Sequence, residues 1–451
     1  MSERDNSALG EAFLGWLNTI ESFYDADLMA LLMQVAGSSP TPAQVEVAYQ
    51  MLAGWEGTGM TVPQPIIPGK TPELIFPADH YEHWDASIEW RYFTLSLTLD
   101  DGSVFSLIAN FFRKAIATAQ TAPLLQPIDR QIYSTSIAWT RRFADGSSEH
   151  HRIPNQTYAP LEGGVTVTNG PFTMVIGANS ITGLGGGDDV FPLKIHVEDA
   201  GAEGRPSLAL DVTCEATRPL FLQGAYGYVG ALWGANGQST QGTYYYSWHH
   251  QQTAGTVVID GVSRAATGIT WMDHQWGGST PPGEPITPQA TGWCWFEFQF
   301  DHGQSLTCSA LHGPIGKFGV LPASPGAGTW VNGDFAQPVA IKLTVLDYSQ
   351  SLETGVHYPC SWRIEVENLA GAVSPVERTL NVVVEPTTDC LDQSMWNTAN
   401  CVEYSEAAST VVAAGTMGMK VLALTGVGYC EGDGFEALDV RNARCIAYLK
   451  S

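Results

Sequence analysis

The side chains best suited to acid–base chemistry lie in one short segment, Gly268 to Gly278, which reads GITWMDHQWGG. Because successive side chains of a β-strand point to opposite faces, Asp273 would share one face with Trp271, and His274 would share the other with Trp276. An ionisable side chain next to indoles is costly to bury unless it is hydrogen-bonded or partly solvated. We therefore interpret the segment as a functional site. A structural role, with Asp273 bonded to a neighbouring backbone N–H, stays open at this point.

A second cluster of titratable residues lies earlier in the chain and reads DHYEHWDASIEWRY. His80 and His83 stand three residues apart and would bind a metal from a helical turn, with Glu89 as a third ligand. Two imidazoles that fix a loop are the simpler interpretation of the same spacing, so we predict no metal site. Glu89 and Trp90 are more indicative of function, because an acid inside a strand pattern costs more than a hydrophobic residue or threonine.

Two further segments are rich in aromatic and polar residues and alternate as strands do. In TYYYSWHH, one face would carry a phenol, a hydroxyl and an imidazole, from Tyr245, Ser247 and His249. In GWCWFE, one face would carry two indoles and an acid, from Trp293, Trp295 and Glu297. Aromatic residues in strands are most often packing residues, but the polar members of these faces suit the wall of a pocket.

The sequence lacks the motifs of several large enzyme classes. It contains no GxGxxG after a predicted strand, no GxxxxGK[ST], no GxSxG and no HExxH, which disfavours nicotinamide, ATP and α/β-hydrolase chemistry. The remaining interpretation is an acid–base site that works without a cofactor. Its titratable members would be Asp273, His274 and Glu89.

The composition excludes several classes of partner. The 451 residues include 46 acidic and 21 basic side chains, a formal charge of −25, so the chain lacks the basic surface that nucleic acid or an anionic membrane requires. We find no signal peptide and no apolar span long enough to cross a membrane. Eight cysteines are too few for a disulfide scaffold. We therefore expect a soluble, cytoplasmic protein with mostly free thiols, and leave open a bridge among the C-terminal cysteines.

The hydrophobic periodicity divides the chain into three parts. Apolar residues in 7–55 recur every three or four positions, which predicts helices, and a proline-rich linker follows. From Phe76 onward the period is two, with turns such as Asp101–Gly102 between short strands. No helices alternate with these strands, which disfavours a parallel sheet. We predict an all-β protein with a helical N-terminal extension (residues 1–65) and two tandem antiparallel β-barrels, at 66–255 and 256–451, each wide enough for one small ligand.

Six segments between Phe76 and Glu431 carry a family resemblance. They read FPADHYEHWDASIEWRY, LDDGSVFSLIANFFR, TYYYSWHH, ITWMDHQWG, ATGWCWFEFQFDHG and TGVGYCEG. Together they resemble the AttH-like, lipocalin-like family, which includes carotenoid hydratase (hydroxyneurosporene synthase) and fungal decalin-forming Diels–Alderases. The resemblance implies two consecutive lipocalin-like barrels with a ligand pocket at their interface. It also implies the residues that line this pocket, which are His80, Glu89, Trp90, Tyr245, Ser247, Asp273, His274, Trp276 and Trp293.

Three functions fit these observations. The first is a cofactor-free enzyme that hydrates or cyclises an isoprenoid or polyketide polyene, with Asp273 as general acid and His274 or Tyr245 to orient it. A developing cation would be stabilised by indole faces, from Trp271, Trp276, Trp293 and Trp295. The second is a pericyclase of Diels–Alderase type, which works by orienting its substrate. The third is a lipocalin-like carrier without turnover, which the titratable groups disfavour. The expected partner is a small hydrophobic substrate, and a homodimer is left open.

Overall fold

The structure is a computed structural model that describes residues 74–84, 86, 88–115, 124–158, 160, 163–185, 190–224, 227–229, 243–277, 292–312, 325–333, 335–368, 379–388, 393–397, 402–417 and 420–436. These residues form an all-β protein with two barrel-like sheets, which confirms the predicted fold class. The predicted helical extension, residues 1–65, lies outside the described residues.

The first sheet contains 13 strands, and its paired neighbours are antiparallel. The strands are β1 (Ile88–Leu99), β2 (Val104–Ala115), β3 (Gln131–Arg142), β4 (Ser148–Tyr158), β5 (Val165–Thr168), β6 (Thr173–Ile176), β7 (Asn179–Gly183), β8 (Leu193–Asp199), β9 (Leu208–Glu215), β10 (Phe221–Leu222), β11 (Tyr228–Val229), β12 (Thr243–Ile259) and β13 (Val262–Gly277). Their order is β4-β3-β2-β1-β13-β12-β9-β8-β7-β6-β5, with β10 and β11 paired to β12. The Asn179 amide in β7 donates to Thr135 in β3 (3.2 Å), which shows that the two ends of the sheet approach each other.

The second sheet contains nine strands and closes on itself. The strands are β14 (Gly292–Phe300), β15 (Gln304–His312), β16 (Pro325–Asn332), β17 (Phe335–Gln350), β18 (His357–Asn368), β19 (Thr379–Pro386), β20 (Ser394–Asn397), β21 (Val402–Met417) and β22 (Lys420–Asp433). Their order is β19-β18-β17-β16-β15-β14-β22-β21-β20, and β19 also pairs with β21. All strands except β20 therefore form a closed antiparallel barrel.

In each sheet, the apolar side chains that recur at every second position pack together into one core. In β1 the alternating apolar residues are buried in the first core, as predicted, namely Phe93, Leu95, Leu97 and Leu99. In β14 the corresponding residues are buried in the second core, namely Cys294, Phe296, Phe298 and Phe300. Burial of such apolar surface is the main stabilising contribution to each barrel. The intervening side chains point out of the barrels, and some of them meet between the two sheets.

The first hairpin follows the turn predicted at Asp101–Gly102, which joins β1 to β2. Gly102 has a φ of +81°, a left-handed conformation that glycine adopts without steric cost. The Asp101 carboxylate accepts a hydrogen bond from the Ser103 N–H (3.0 Å). This turn fixes the register of β1 against β2 along the whole of both strands.

The chain passes from the first sheet to the second between Gly277 and Gly292. The division predicted between residues 255 and 256 falls inside β12, which lies in the first sheet. β12 and β13 form a long hairpin around Asp260–Gly261, and β13 then pairs with β1, so both strands belong to the first barrel. The segment that carries Asp273 is thereby moved from the second predicted barrel to the first.

Helical structure is slight in the part of the chain that the structure describes. Two short 3-10 helices, Ala78–His80 and Ile128–Arg130, precede β1 and β3. Within those same ranges, no helix has the length and apolar character needed to cross a bilayer.

Five of the cysteines lie among the described residues and all five are buried, namely Cys214, Cys294, Cys308, Cys360 and Cys430. Of these, Cys214, Cys294, Cys308 and Cys430 are free thiols. This agrees with the prediction of mostly free thiols. The remaining cysteines near the C-terminus lie outside the described residues, so the bridge left open there stays untested.

Candidate active site

The two sheets meet through the outer faces of β1, β12 and β13 on one side and β14, β21 and β22 on the other. Thr94 Oγ1 donates to Glu297 Oε1 (2.7 Å), and Tyr92 OH donates to Glu406 Oε2 (3.1 Å). Trp90 and Trp295 pack there against a buried cluster formed by Tyr92, Ile108, Ala138, Met395, Tyr404, Ala408 and Tyr429. We call this contact zone the inter-sheet face.

Asp273 lies on the inter-sheet face and accepts three side-chain hydrogen bonds. Tyr245 OH donates to Oδ2 (2.6 Å), while Ser247 Oγ (2.5 Å) and Trp271 Nε1 (2.8 Å) donate to Oδ1. The phenol oxygen of Tyr245 accepts a further bond from Trp295 Nε1 of the second sheet (3.3 Å). The carboxyl group is therefore linked to both sheets.

The strand register explains how these side chains meet. Tyr92 in β1 and Ser247 in β12 lie directly opposite Asp273, one on each side of β13. Trp271 stands two residues earlier in β13 and points to the same face. The predicted polar face of β12 is also present, since His249 Nδ1 lies 2.7 Å from Ser305 Oγ of the second sheet. Alternation along two strands is thus sufficient to bring these donors to one carboxyl group.

Burial raises the pKa of the Asp273 carboxyl to about 7, because a buried carboxylate loses the hydration of its charge. The donors from Ser247, Tyr245 and Trp271 favour the carboxylate but do not cancel this effect, and the charge of Glu431 raises the pKa further. An acid whose pKa lies close to the working pH is suited to proton transfer in both directions.

β14 contributes the opposite wall of the site. Trp293, Trp295 and Glu297 share its outer face, as predicted, while the intervening residues are in the second core. The Trp295 ring lies edge-on to Tyr92, with ring centroids 5.2 Å apart. Trp90, which stacks with Phe112, and both tryptophans of β14 are partly exposed. They therefore offer apolar surface close to Asp273.

His274 points to the other face of β13, into the first barrel. Its Nδ1 lies 2.8 Å from Tyr246 OH, and its Nε2 lies 2.8 Å from Glu89 Oε1. Burial lowers the pKa of His274 well below its usual value, so the ring is neutral and donates from Nε2 to the Glu89 carboxylate. The sheet separates His274 from Asp273. Tyr245, and not His274, is thus the predicted partner that contacts the acid.

His80 and Trp276 lie on the same interior side as His274. His80 Nδ1 lies 2.9 Å from Tyr246 OH. The Trp276 ring stacks on His83, with ring centroids 3.8 Å apart. Together with Glu89, these predicted site residues form a second cluster within the first barrel, on the opposite side of the sheet from Asp273.

Glu89 takes part in a network of buried ion pairs. Arg113 lies 3.0 Å from Glu89 through Nη2 and 3.3 Å from Glu82 through Nε. Arg91 pairs with Glu82 and lies 3.6 Å from Glu89. Burial opposes ionisation, but His83 and Arg113 hold the pKa of Glu89 well below its usual range. The interior cluster therefore consists of charges that are already paired.

The geometry of this cluster would also admit a metal ion, since His83 Nδ1, His274 Nε2 and the Glu89 carboxylate lie within 4.8 Å of one another. Each of these atoms already has a partner, because Glu89 Oε1 lies 2.9 Å from His83 Nδ1 and 2.8 Å from His274 Nε2. The guanidinium groups of Arg91 and Arg113 also neutralise the negative charge of the Glu89 carboxylate, which would otherwise attract a divalent cation. We therefore interpret the cluster as a hydrogen-bonded ion-pair network.

Glu406 and Glu431 also belong to the inter-sheet face, although the sequence did not single them out as site residues. They lie directly opposite each other on β21 and β22, and Glu431 lies opposite Trp295 of β14. Trp293 Nε1 donates to Glu431 Oε1. In the sequence, each is an acid at an outward-facing position of a strand, a pattern that indicates a solvent-exposed residue. Only the packing of the two barrels against each other shows that these positions face a second sheet.

Replacing Tyr245 by Phe should raise the pKa of Asp273 further, because the substitution removes a donor that stabilises the carboxylate. The measurement is a difference infrared titration of protein with 13C-labelled aspartate carboxyls, with the Asp273→Asn spectrum to assign the band. Tyr244→Phe is the matched control, since Tyr244 stacks on Trp276 in the first barrel. An unchanged titration of Asp273 in Tyr245→Phe would contradict the assigned contact.

The comparisons with known proteins agree with this architecture. A sequence model described as AttH-like matches residues 68–435. A protein assigned as AttH from Nitrosomonas europaea has a crystal structure that is 22% identical with a TM-score of 0.62, and the match covers 83% of this chain and 100% of that chain. Kievitone hydratase from Nectria haematococca is 14% identical with a TM-score of 0.53, and the match covers 83% of this chain and 98% of that chain. At such identities the likeness shows a shared fold. Comparison with curated proteins gives no match.

Proposed function

Because this chain belongs to the AttH-like family, we propose that it is a cofactor-independent enzyme that hydrates or cyclises an apolar polyunsaturated substrate between two lipocalin-like barrels. The observation that carries the proposal is the Asp273 carboxyl, which is buried among hydrogen-bond donors and has a pKa of about 7. A substantial fraction of such a group is protonated at neutral pH and can deliver its proton to a substrate. The substrate class we propose is an isoprenoid or polyketide polyene.

Asp273 acts as the general acid in this proposal. Its proton and the π electrons of a substrate C=C bond form a new C–H bond, which leaves a carbocation and the Asp273 carboxylate. Tyr245, Ser247 and Trp271 already donate to that carboxylate, so the conjugate base is stabilised without reorganisation. Capture of the cation by water, followed by loss of a proton from that water, gives an alcohol. Capture by a second C=C bond gives a cyclic cation, which becomes a neutral ring product by loss of a proton from a neighbouring carbon.

Aromatic side chains near the acid stabilise the cation through their π faces and give an apolar substrate its surface. The Trp271 indole donates directly to Asp273, and the Trp295 indole donates to Tyr245, which contacts Asp273. Trp293 lies on the same strand face as Trp295. Trp276 is omitted from this role, because its ring packs inside the first barrel against His83. A hydratase of the same fold, kievitone hydratase, supports this reaction class.

The test is incubation with a panel of alkenes and polyenes, beginning with kievitone and squalene, in water labelled with deuterium or 18O, followed by mass spectrometry. Deuterium on carbon together with 18O in the product would support hydration, and deuterium alone in a ring product would support cyclisation. An isomeric product without label would overturn acid catalysis in favour of a pericyclase. Binding of the probes without conversion would favour a carrier.

A further inference from the structure

Hydration needs a second group besides the acid, because the water that captures the cation must lose a proton. Glu431 is well placed on the inter-sheet face. It lies directly opposite Trp295 across β14 and β22, and Trp295 donates to Tyr245, which donates to Asp273. A chain of neighbouring side chains therefore links the acid of the first barrel to Glu431 of the second.

Glu431 is paired with a second acid, Glu406, directly opposite on β21. Glu406 is buried and Glu431 is partly buried, and Tyr92 of the first sheet donates to Glu406 Oε2. The other titratable groups that face this pair are also acids or phenols, namely Asp273, Glu297, Asp433, Tyr92, Tyr404 and Tyr429. Two carboxyl groups that share such a place cannot both ionise easily, so one of them holds a proton for the pair.

Glu297 Oε2 on this face has no hydrogen-bond partner among the described residues, and the Glu297 side chain is fully buried. A buried carboxyl oxygen without a partner costs free energy, and such atoms call for a partner from outside the protein chain. A water molecule or a substrate hydroxyl held between the acids would supply that partner.

Burial raises the pKa of both acids of the pair. Burial raises the pKa of Glu431 to about 7, although Glu406 and Trp293 lower it as hydrogen-bond donors. Burial, followed by the charge of Glu431, raises the pKa of Glu406 well above its usual range. Glu431 therefore titrates near neutral pH, where it can exchange a proton with solvent or substrate.

We propose that Glu431, with Glu406 as its positioning partner, is the general base that takes a proton from the water captured by the carbocation. This inference rests on the proposed function of Asp273. The water oxygen forms the new C–O bond, one of its protons passes to the Glu431 carboxylate, and the product is a neutral alcohol. Asp273 has lost one proton and Glu431 has gained one, and exchange with solvent restores both groups without an oxidant or reductant.

The experiment follows deuterium and 18O separately in the full chain, with the kievitone and squalene probes. In Glu431→Gln, Asp273 still protonates the alkene, so the cation returns a proton and the recovered substrate carries deuterium. We expect hydration to fall by about 10²–10⁴-fold, as for the loss of a general base. Asp273→Asn should lose both the deuterium exchange and the hydration. Glu367→Gln, an exposed glutamate in β18, is the matched control and should behave as the wild type.

The outcomes separate the two proposals. Loss of hydration with retained deuterium exchange in Glu431→Gln supports the base, and unchanged hydration overturns it. Absence of solvent deuterium on carbon from both the product and the recovered substrate of the wild type overturns the proposed function itself. An infrared titration without substrate gives an independent check, because a carboxyl band that titrates near pH 7 should disappear in Glu431→Gln and shift in Glu406→Gln. If Glu406→Gln leaves that titration unchanged, Glu406 does not position Glu431.

Discussion

Asp273→Asn should lower kcat for hydration or cyclisation by about 10²–10⁴-fold, the usual contribution of a general acid. The amide has the size of the carboxyl group and can keep the bonds from Ser247 and Trp271 to its oxygen, while Tyr245 accepts from its NH2 group. Substrate contacts are therefore retained, and KM should change much less than kcat. The measurement is the steady-state rate of the first panel substrate that the wild type converts.

The proposed role of Asp273 also predicts the direction in which the rate changes with pH. Asp273 must be protonated to act as the acid and its pKa is about 7, so the rate of the wild type should fall as pH rises above 7. The residual rate of Asp273→Asn should lack this fall. Asp211→Asn, at a partly exposed position in β9, is the control. A variant that keeps the wild-type rate would show that Asp273 is not the acid and would favour catalysis by orientation.

The same raised pKa has a consequence for stability. The folded state binds the Asp273 proton more tightly than the unfolded chain does, so this contribution is present at low pH and is lost as pH rises through about 7. Asn carries no charge at any pH. Asp273→Asn should therefore be at least as stable as the wild type in alkaline solution, which separates loss of catalysis from loss of folding and is typical of residues selected for activity.

Much of the candidate site follows from alternation alone. The sequence placed Asp273 with Trp271, Tyr245 with Ser247, and Trp293 with Trp295, each pair on one strand face. All three placements are confirmed, because side-chain direction in a strand depends on local geometry and on nothing distant in the chain.

The parts that the sequence could not provide depend on pairing between distant strands. His274 stands next to Asp273 in the chain, but the pleat places it in the first barrel with Glu89. Glu406 and Glu431 meet Tyr92 only because the outer faces of two barrels pack together. The division at residues 255 and 256 failed for the same reason, since the pairing of β13 with β1 is not visible in local periodicity.

The side chains on the two faces of β1 and β13 therefore have different roles. The inter-sheet face holds acids whose pKa is raised by burial, and the interior face holds Glu89 and His274, with Glu89 paired to Arg113 of β2. Because both sets project from the same strands, the interior ion pairs fix the backbone from which Asp273 and Tyr92 project. Preorganised acids need such a rigid support, since a small displacement of a catalytic group is costly.

Arg113→Met should lower the free energy of unfolding by about 3–5 kcal/mol, because it leaves buried carboxylates without their partner. The guanidinium group bonds Glu89 and also donates to the backbone oxygens of His83 (2.9 Å) and Ala86 (3.0 Å), so it ties the segment before β1 to β2. Methionine matches the length of the side chain but supplies neither charge nor donors. The measurement is denaturant unfolding followed by circular dichroism and by tryptophan fluorescence.

The control for this prediction is Arg264→Met, because Arg264 pairs with Asp100 and Asp101 at the protein surface, where an ion pair contributes about 0–1 kcal/mol. Equal losses in the two variants would contradict a special role for the interior network. The double variant Arg113→Met with Glu89→Gln should recover part of the loss, since it removes the charge that the single variant leaves unpaired. Recovery would identify the uncompensated carboxylate, rather than lost packing, as the main cause of the destabilisation. It would also show that the network stabilises a strand that carries residues of the inter-sheet face.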